Sequence, residues 1–195
     1  MDPYRVLVNK VHPVPEDYLS RVELIPVCGI EQREFLLERR TFAAYEALAA
    51  FVKEKENIVI GAGNGYRSLE LQQQIYERFC ATYGKDYADA IVAPVGKSEH
   101  HMGICIDLSL YFEGEGFLSN NDHFDRIRPV FEKHIHPHLH KFGFILRYPL
   151  GKEEITGYPY EPWHIRYVGS DAAREIVREG LTMEEWTKNK QAVIL

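Results

Sequence analysis

The ten residues Ser98-Glu99-His100-His101-Met102-Gly103-Ile104-Cys105-Ile106-Asp107 constrain this chain more than any other stretch. They set an imidazole and a carboxylate on either side of a glycine. His100 and Asp107 are an odd number of residues apart, so on one straight strand they would face opposite sides. For both to reach one ligand the backbone must bend between them. Gly103 permits that bend, because glycine tolerates backbone angles closed to other residues. Beyond it, Ile104 to Leu110 reads as a strand that carries Asp107 on one face with Cys105 and Ser109.

A second stretch, Glu161-Pro162-Trp163-His164, supplies what the first lacks. Pro162 has no N–H to give to a central strand, which places Glu161 on a loop and starts the strand near Trp163. His164 then points from the strand while Glu161 reaches over from the loop. Each residue alone has a plainer reading. A single histidine is commonly a hydrogen-bonded core or surface residue. A lone aspartate in an apolar strand is more pointed, since burying an unpartnered carboxylate is costly. Taken together, His100, Asp107 and His164 are three candidate ligands for Zn²⁺, with Glu161 an unligated carboxylate beside them. Those are the parts of a catalytic zinc site: three protein ligands, an open position for water, and a general base.

The rest of the chain is read around these stretches. Prolines at 3, 13, 15 and 26 predict an extended N-terminal segment over 1–34. Helical spacing of Phe42, Tyr45, Ala49 and Val52 predicts a helix from Phe35 to about Lys55. Ile58-Val59-Ile60 reads as a short buried strand and Gly61-Ala62-Gly63-Asn64-Gly65 as a turn. That glycine cluster lacks the lysine and the full spacing of a phosphate-binding loop. Ser68 is a suitable N-cap for a helix to about Tyr83. Arg67, just before it, either pairs with a surface carboxylate or serves the site. Gln72, one turn on, is read as a solvated helix face or a contact to a ligand. Residues 92–97 form a loop, 113–121 a flexible surface loop, and 124–135 a helix. His134, His136, His138 and His140 alternate in a way that suggests a second metal. Pro137 interrupts them and their spacing fits no standard site, so they are read as solvated or capping histidines. Residues 144–147 and 163–168 are expected strands. Thr182-Met183-Glu184-Glu185 fits a capping box.

Strands and helices do not alternate regularly. The expected fold is therefore α+β, a central mostly antiparallel sheet packed by helices. At 195 residues, one domain over 1–195 is expected. A net charge of -6 argues against a general nucleic-acid binder, and no apolar run is long enough for a transmembrane segment. Met1-Asp2-Pro3-Tyr4-Arg5 lacks the pattern of a signal peptide. Cys28, Cys80 and Cys105 are odd in number and scattered. Both facts point to a reducing, cytoplasmic location.

The motif S-x-H-x-x-G-x-x-x-D followed by E-P-W-H resembles the zinc D-Ala-D-Ala peptidases of the VanY and VanXY kind, a group that includes LD-carboxypeptidases and some phage endolysins. The likeness extends to Val8-Asn9-Lys10 with Pro13 to Tyr18, Gly65-Tyr66-Arg67-Ser68 with Gln72, Phe142 to Pro149, and Glu161 to Gly169. It implies the α+β fold shared by these peptidases and the hedgehog signalling domain. It also implies hydrolysis of the C-terminal D-Ala of peptidoglycan peptides or their precursors. The alternatives are an LD-carboxypeptidase, an endolysin-type peptidase or a non-catalytic zinc module. By the same resemblance Arg67 meets the scissile carbonyl, Ser98 and Gln72 orient the peptide, and Tyr66 and Trp163 line its site. One departure stands out: the family usually has Ala where this chain has Cys105.

Overall fold

A computed structural model of the chain describes residues 2–118 and 123–192. Its centre is an antiparallel sheet in the order β3 (Ile60–Asn64), β4 (Cys105–Phe112), β7 (His164–Tyr167), β6 (Phe144–Leu146). β5 (Gly116–Leu118) pairs with the far end of β4. A separate hairpin joins β1 (Leu24–Cys28) to β2 (Glu34–Glu38). Around these pack α1 (Arg39–Glu56), α2 (Leu69–Tyr83), α3 (Lys85–Ile91), α4 (Phe124–Val130), α5 (Glu153–Thr156), α6 (Ser170–Glu179) and α7 (Met183–Ala192). The architecture is the expected α+β one. Among the described residues, no helix is long and apolar enough to cross a membrane.

The main core lies between α1 and the sheet. Leu48 and Val52 of α1 meet Ile106 and Leu108 of β4, Ile165 of β7 and Phe131 beyond α4, all buried. The even positions of β4 thus face this core, which leaves Cys105, Asp107 and Ser109 on the opposite face. A smaller cluster joins Ile145 and Val168 to Ala173, Ile176, Met183 and Trp186 of α6 and α7. A third folds the N-terminal segment down: Tyr4, Val6, Val8 and Tyr18 pack on Met102 and Ile104.

Three expected elements are corrected. The helix predicted from Phe35 begins at Arg39, because residues 34–38 pair with β1 as β2. Its N-cap is Glu38, which accepts hydrogen bonds from the Thr41 amide at 2.8 Å and the Thr41 hydroxyl at 3.0 Å. Glutamate is not among the usual N-cap residues. The glycine cluster, read as a turn, is instead strand β3 up to Asn64, with Gly65 just after it. Its glycines provide room. A Cβ on Gly61 would lie 2.3 Å from Ile30 Cγ2, and one on Gly65 would lie 2.6 Å from both Phe35 and Leu37. A glycine inside a strand marks such close approach. The loop expected over 113–121 contains β5, and its residues 119–121 lie outside the described ones.

The capping box closes as expected: the Thr182 amide donates to Glu185 Oε2 at 2.8 Å and the Glu185 amide to Thr182 Oγ1 at 3.2 Å. The bend at Gly103 is also present. Glu99–Met102 form a single 3₁₀ turn, and Gly103 ends it at φ 67°. A Cβ there would approach Leu24 Cδ2 to 2.5 Å. Gly103→Ala is therefore expected to lower the free energy of unfolding by about 1–3 kcal/mol. Urea denaturation in metal-free buffer would check this, and an unchanged midpoint would show that the bend tolerates a side chain.

Candidate active site

The antiparallel register delivers the site. Asn64, Asp107 and His164 are direct partners across β3, β4 and β7. Their side chains share the face turned away from the main core. His100 joins them from the 3₁₀ turn before Gly103. His100 Nε2 lies 3.3 Å from Asp107 Oδ2, and His164 Nδ1 lies 3.1 Å from Asp107 Oδ1. Asn64 Nδ2 donates to Asp107 Oδ2 at 3.3 Å. Both imidazoles are buried, with rings crossing at 86°.

Such separations suit hydrogen-bonded ion pairs, and they also suit donors arranged around one metal. Two ligand atoms on one tetrahedral zinc are separated by about 3.3 Å. The tautomer of His100 also suits ligation: its Nδ1 sits 2.7 Å from the Gly65 carbonyl, so that nitrogen carries the proton and Nε2 offers its lone pair. Asp107 Oδ1 is buried without a hydrogen-bond partner among the described residues. His100, Cys105 and His164 also offer donor atoms that all lie within 4.8 Å of one another. Cys105 is thus a competing third ligand. We favour Asp107, because its two oxygens face the two imidazole nitrogens individually. His100, Asp107 and His164 fit a divalent metal of the zinc type.

Glu161 stands at the rim on the loop before β7, with Oε2 3.6 Å from His164 Nδ1. Burial pushes its carboxyl up to about 7; Asp107 adds to the rise, while His164, His100 and Arg67 oppose it. Asp107 is held well below the ordinary carboxylate range by His100 and His164 despite its own burial. Arg67 is half-buried, and its Nη1 donates to Gln72 Oε1 at 2.8 Å. Gln72 is fully buried, and its amide donates to the Ala93 carbonyl at 2.7 Å. It is not a solvated helix face; its polar atoms hold Arg67 and the loop after α3. Ser98 is buried and caps the turn that carries His100, accepting from the His100 amide at 3.3 Å. Trp163 packs into the main core beneath the site and is edge-on to Phe124.

His100, Asp107, His164, Glu161, Arg67, Gln72, Ser98 and Trp163 line one groove of about 980 Å³, which continues along Leu71, Ile75, Phe79 and Tyr87. Tyr66 lines it too. The alternating histidines do not converge. His134 and His138 both contact Glu56, at 2.6 and 3.0 Å, and His136 Nε2 meets the Pro162 carbonyl at 2.9 Å.

Three residues escaped the sequence reading. Glu99, Arg147 and Arg166 form a buried ion cluster behind His164. Arg147 Nε and Arg166 Nη1 donate to Glu99 Oε1 at 2.7 and 2.6 Å. Burial raises the Glu99 pKa, but the two guanidiniums outweigh it and hold the carboxyl well below its usual range. Their sequence separations of 48 and 67 residues leave no local signal.

Comparison with known proteins identifies the family. The family model described as VanY, D-alanyl-D-alanine carboxypeptidase, matches residues 34–170. The putative carboxypeptidase YodJ of Bacillus subtilis is 36% identical over 187 residues, covering 92% of this chain and 65% of YodJ. A D-alanyl-D-alanine carboxypeptidase of Enterococcus faecalis is 31% identical over 195 residues, covering 95% of this chain and 66% of that protein. The chain thus spans just under two thirds of the length of these two relatives. A Zn(II) complex of a VanY D,D-pentapeptidase variant from a VanB-type resistance cassette superposes with a TM-score of 0.76 at 31% identity. The match covers 95% of this chain and 99% of that one. On the family match, the identity and the shared fold, the chain belongs to the VanY D-alanyl-D-alanine carboxypeptidase family.

Proposed function

We propose that this protein is a zinc-dependent carboxypeptidase that removes the terminal D-alanine from D-Ala-D-Ala-ended peptides of peptidoglycan or its precursors. The observation that carries this is the convergence of His100 Nε2, Asp107 and His164 Nδ1 at the wall of a long groove, with Glu161 unligated beside them. A structural metal site needs no such carboxylate. The zinc assignment draws on the donor set and on the Zn(II) complex of the VanY relative. When bound, zinc acidifies a coordinated water toward about 7 and polarises the scissile carbonyl.

The chain's own groups do the remaining work. Glu161 takes a proton at its carboxylate from the attacking water and returns it to the departing amine. Its near-neutral affinity for a proton suits both transfers. Arg67, held at Nη1 by Gln72, turns its remaining donors to the carbonyl oxygen that gains charge. Gln72 positions Arg67 and so acts on the peptide indirectly. Ser98 orients the terminal carboxylate. The apolar run of Leu71, Ile75 and Phe79 gives room for the peptide before the scissile bond.

Release of D-Ala from a D-Ala-D-Ala-terminated pentapeptide by zinc-loaded protein tests the reading directly; absence of release would overturn it. The ligand choice has its own test. Purified protein is expected to carry about one zinc per chain; Asp107→Ala and His164→Ala should lose most of it, whereas Cys105→Ala should keep it. Elemental analysis decides. Loss of zinc on replacing Cys105 alone would make the thiol the third ligand.

Glu161→Gln keeps shape and removes proton transfer. It should retain zinc and turn over roughly 10²–10⁴-fold more slowly. Near-normal turnover would mean that another group is the base. For Arg67→Lys, kcat is expected to fall by about 10²-fold or more with a smaller change in KM, since Lys offers a point charge in place of a planar fork. Thermal melting measured alongside separates this from a folding defect: parallel loss of activity and stability would assign Arg67 to the helix start instead.

A further inference from the structure

Behind the site, two buried polar atoms face each other without partners. Glu99 Oε2 and His164 Nε2 are each buried and without a hydrogen bond among the described residues. They lie 3.6 Å apart, just beyond hydrogen-bond reach. The other Glu99 oxygen is fully engaged by Arg147 and Arg166, both completely buried. Arg147 is held on its far side by Glu184 at 2.7 and 3.0 Å and by the Val8 carbonyl at 3.2 Å. Arg166 is held by the Val6 and Tyr4 carbonyls at 2.9 and 3.3 Å. The Glu99 carboxylate therefore has a fixed orientation, with Oε2 directed at the back of the His164 ring.

We propose that Glu99 is a positioning residue for His164, its Oε2 accepting the Nε2 proton and so reserving the Nδ1 lone pair for the metal. The inference rests on the zinc reading above. A neutral imidazole carries one proton, and the partner of one nitrogen decides which atom holds it. Nδ1 faces Asp107 and must be bare to ligate. Nε2 must then carry the proton, and Glu99 Oε2 is the acceptor placed to take it. A contraction of less than about 1 Å would satisfy both orphaned atoms with one charge-assisted hydrogen bond. The Gly65 carbonyl does the same for His100 from the opposite side. The two ligand imidazoles would then be fixed in complementary tautomers, His100 binding through Nε2 and His164 through Nδ1.

Glu99→Gln tests this. The two guanidiniums offer only donors, so the oxygen of the new amide stays with them and its NH₂ turns to His164 Nε2. That nitrogen must then accept, which moves the His164 proton onto Nδ1 and blocks ligation. Zinc affinity, measured by competition with a chelator, is expected to fall about 10–100-fold. Nitrogen-15 spectra of zinc-loaded wild type should show His164 protonated at Nε2 and metal-bound at Nδ1, and the variant at the same free zinc should not. Glu184→Gln disturbs the same cluster without touching His164 and should leave zinc affinity and tautomer unchanged. If Glu99→Gln does not fold, Glu99→Asp retains the charge but withdraws the acceptor, and should lose affinity in the same range. Wild-type affinity and an unchanged tautomer in a folded Glu99 variant would overturn the proposal, as would an equal loss in Glu184→Gln. Failure of the zinc reading is separately visible, since wild-type protein would then take up no zinc before any variant is made.

Discussion

The site depends on one register. In the antiparallel pairing of β4 with β7, Asp107 stands opposite His164, and in the pairing of β3 with β4 it stands opposite Asn64. A slip of one residue would turn Asp107 and Cys105 into the main core and bring Ile106 and Leu108 out. The register is pinned by that core, where Ile106, Leu108 and Ile165 are completely buried against α1. Apolar packing on one face of the sheet thus sets the geometry of the ionisable groups on the other. The glycines of β3 serve the same end. Gly63 lies where a Cβ would crowd the Asp107 carbonyl at 3.1 Å, and the pairing shifts by one residue there to bring Asn64 alongside Asp107.

The ionisable face carries a heavy desolvation load. Glu99, His100, Arg147, His164 and Arg166 are all buried. Removing one partner of such a cluster leaves an uncompensated charge at a cost of about 3–5 kcal/mol, while an apolar replacement of the whole cluster is often neutral for stability. The cluster is therefore poorly explained as a stabilising device. It is better explained by what it faces. A carboxylate whose one oxygen is saturated by two guanidiniums has a single oxygen left, with a single direction. That arrangement orients an imidazole more narrowly than a lone glutamate could.

Much of this is readable in sequence wherever the cause is local. The bend at Gly103, the Ser68 cap, the strand through Asp107 and the Thr182–Glu185 capping box are each set by residues within a few positions. The misreadings have non-local causes. Gly61 and Gly63 look like part of a turn in isolation; only the pairing with β4, with Ile30 and Phe117 pressed against them from other segments, makes them a strand. The start of α1 is obscured because Glu38 caps it while also accepting a hydrogen bond from the Tyr4 hydroxyl at 2.9 Å, an arrangement that requires the folded N-terminal segment. Arg67 stands out by its position after a glycine. Gln72 reads as facing solvent or substrate, because nothing local reveals the Ala93 carbonyl that takes its buried amide.

The N-terminal segment belongs to this same account. A buried guanidinium brings several donors into the interior, and each must be met. Glu99 Oε1 takes one donor from each arginine, Glu184 takes two more from Arg147, and the Tyr167 carbonyl takes Arg166 Nε at 3.1 Å. Residues 4–8 supply the difference through the carbonyls of Tyr4, Val6 and Val8. Arg166 and Val6 are 160 positions apart. Apolar contacts also hold this segment, since Tyr4, Val6 and Val8 pack on Met102 and Ile104. Those two residues flank Gly103, so the same strap that satisfies the arginines also presses on the turn presenting His100. The strap therefore reaches both site imidazoles by separate routes: it holds the arginines whose shared partner Glu99 lies 3.6 Å from His164, and it packs Met102 and Ile104 on either side of Gly103, next to the turn that carries His100.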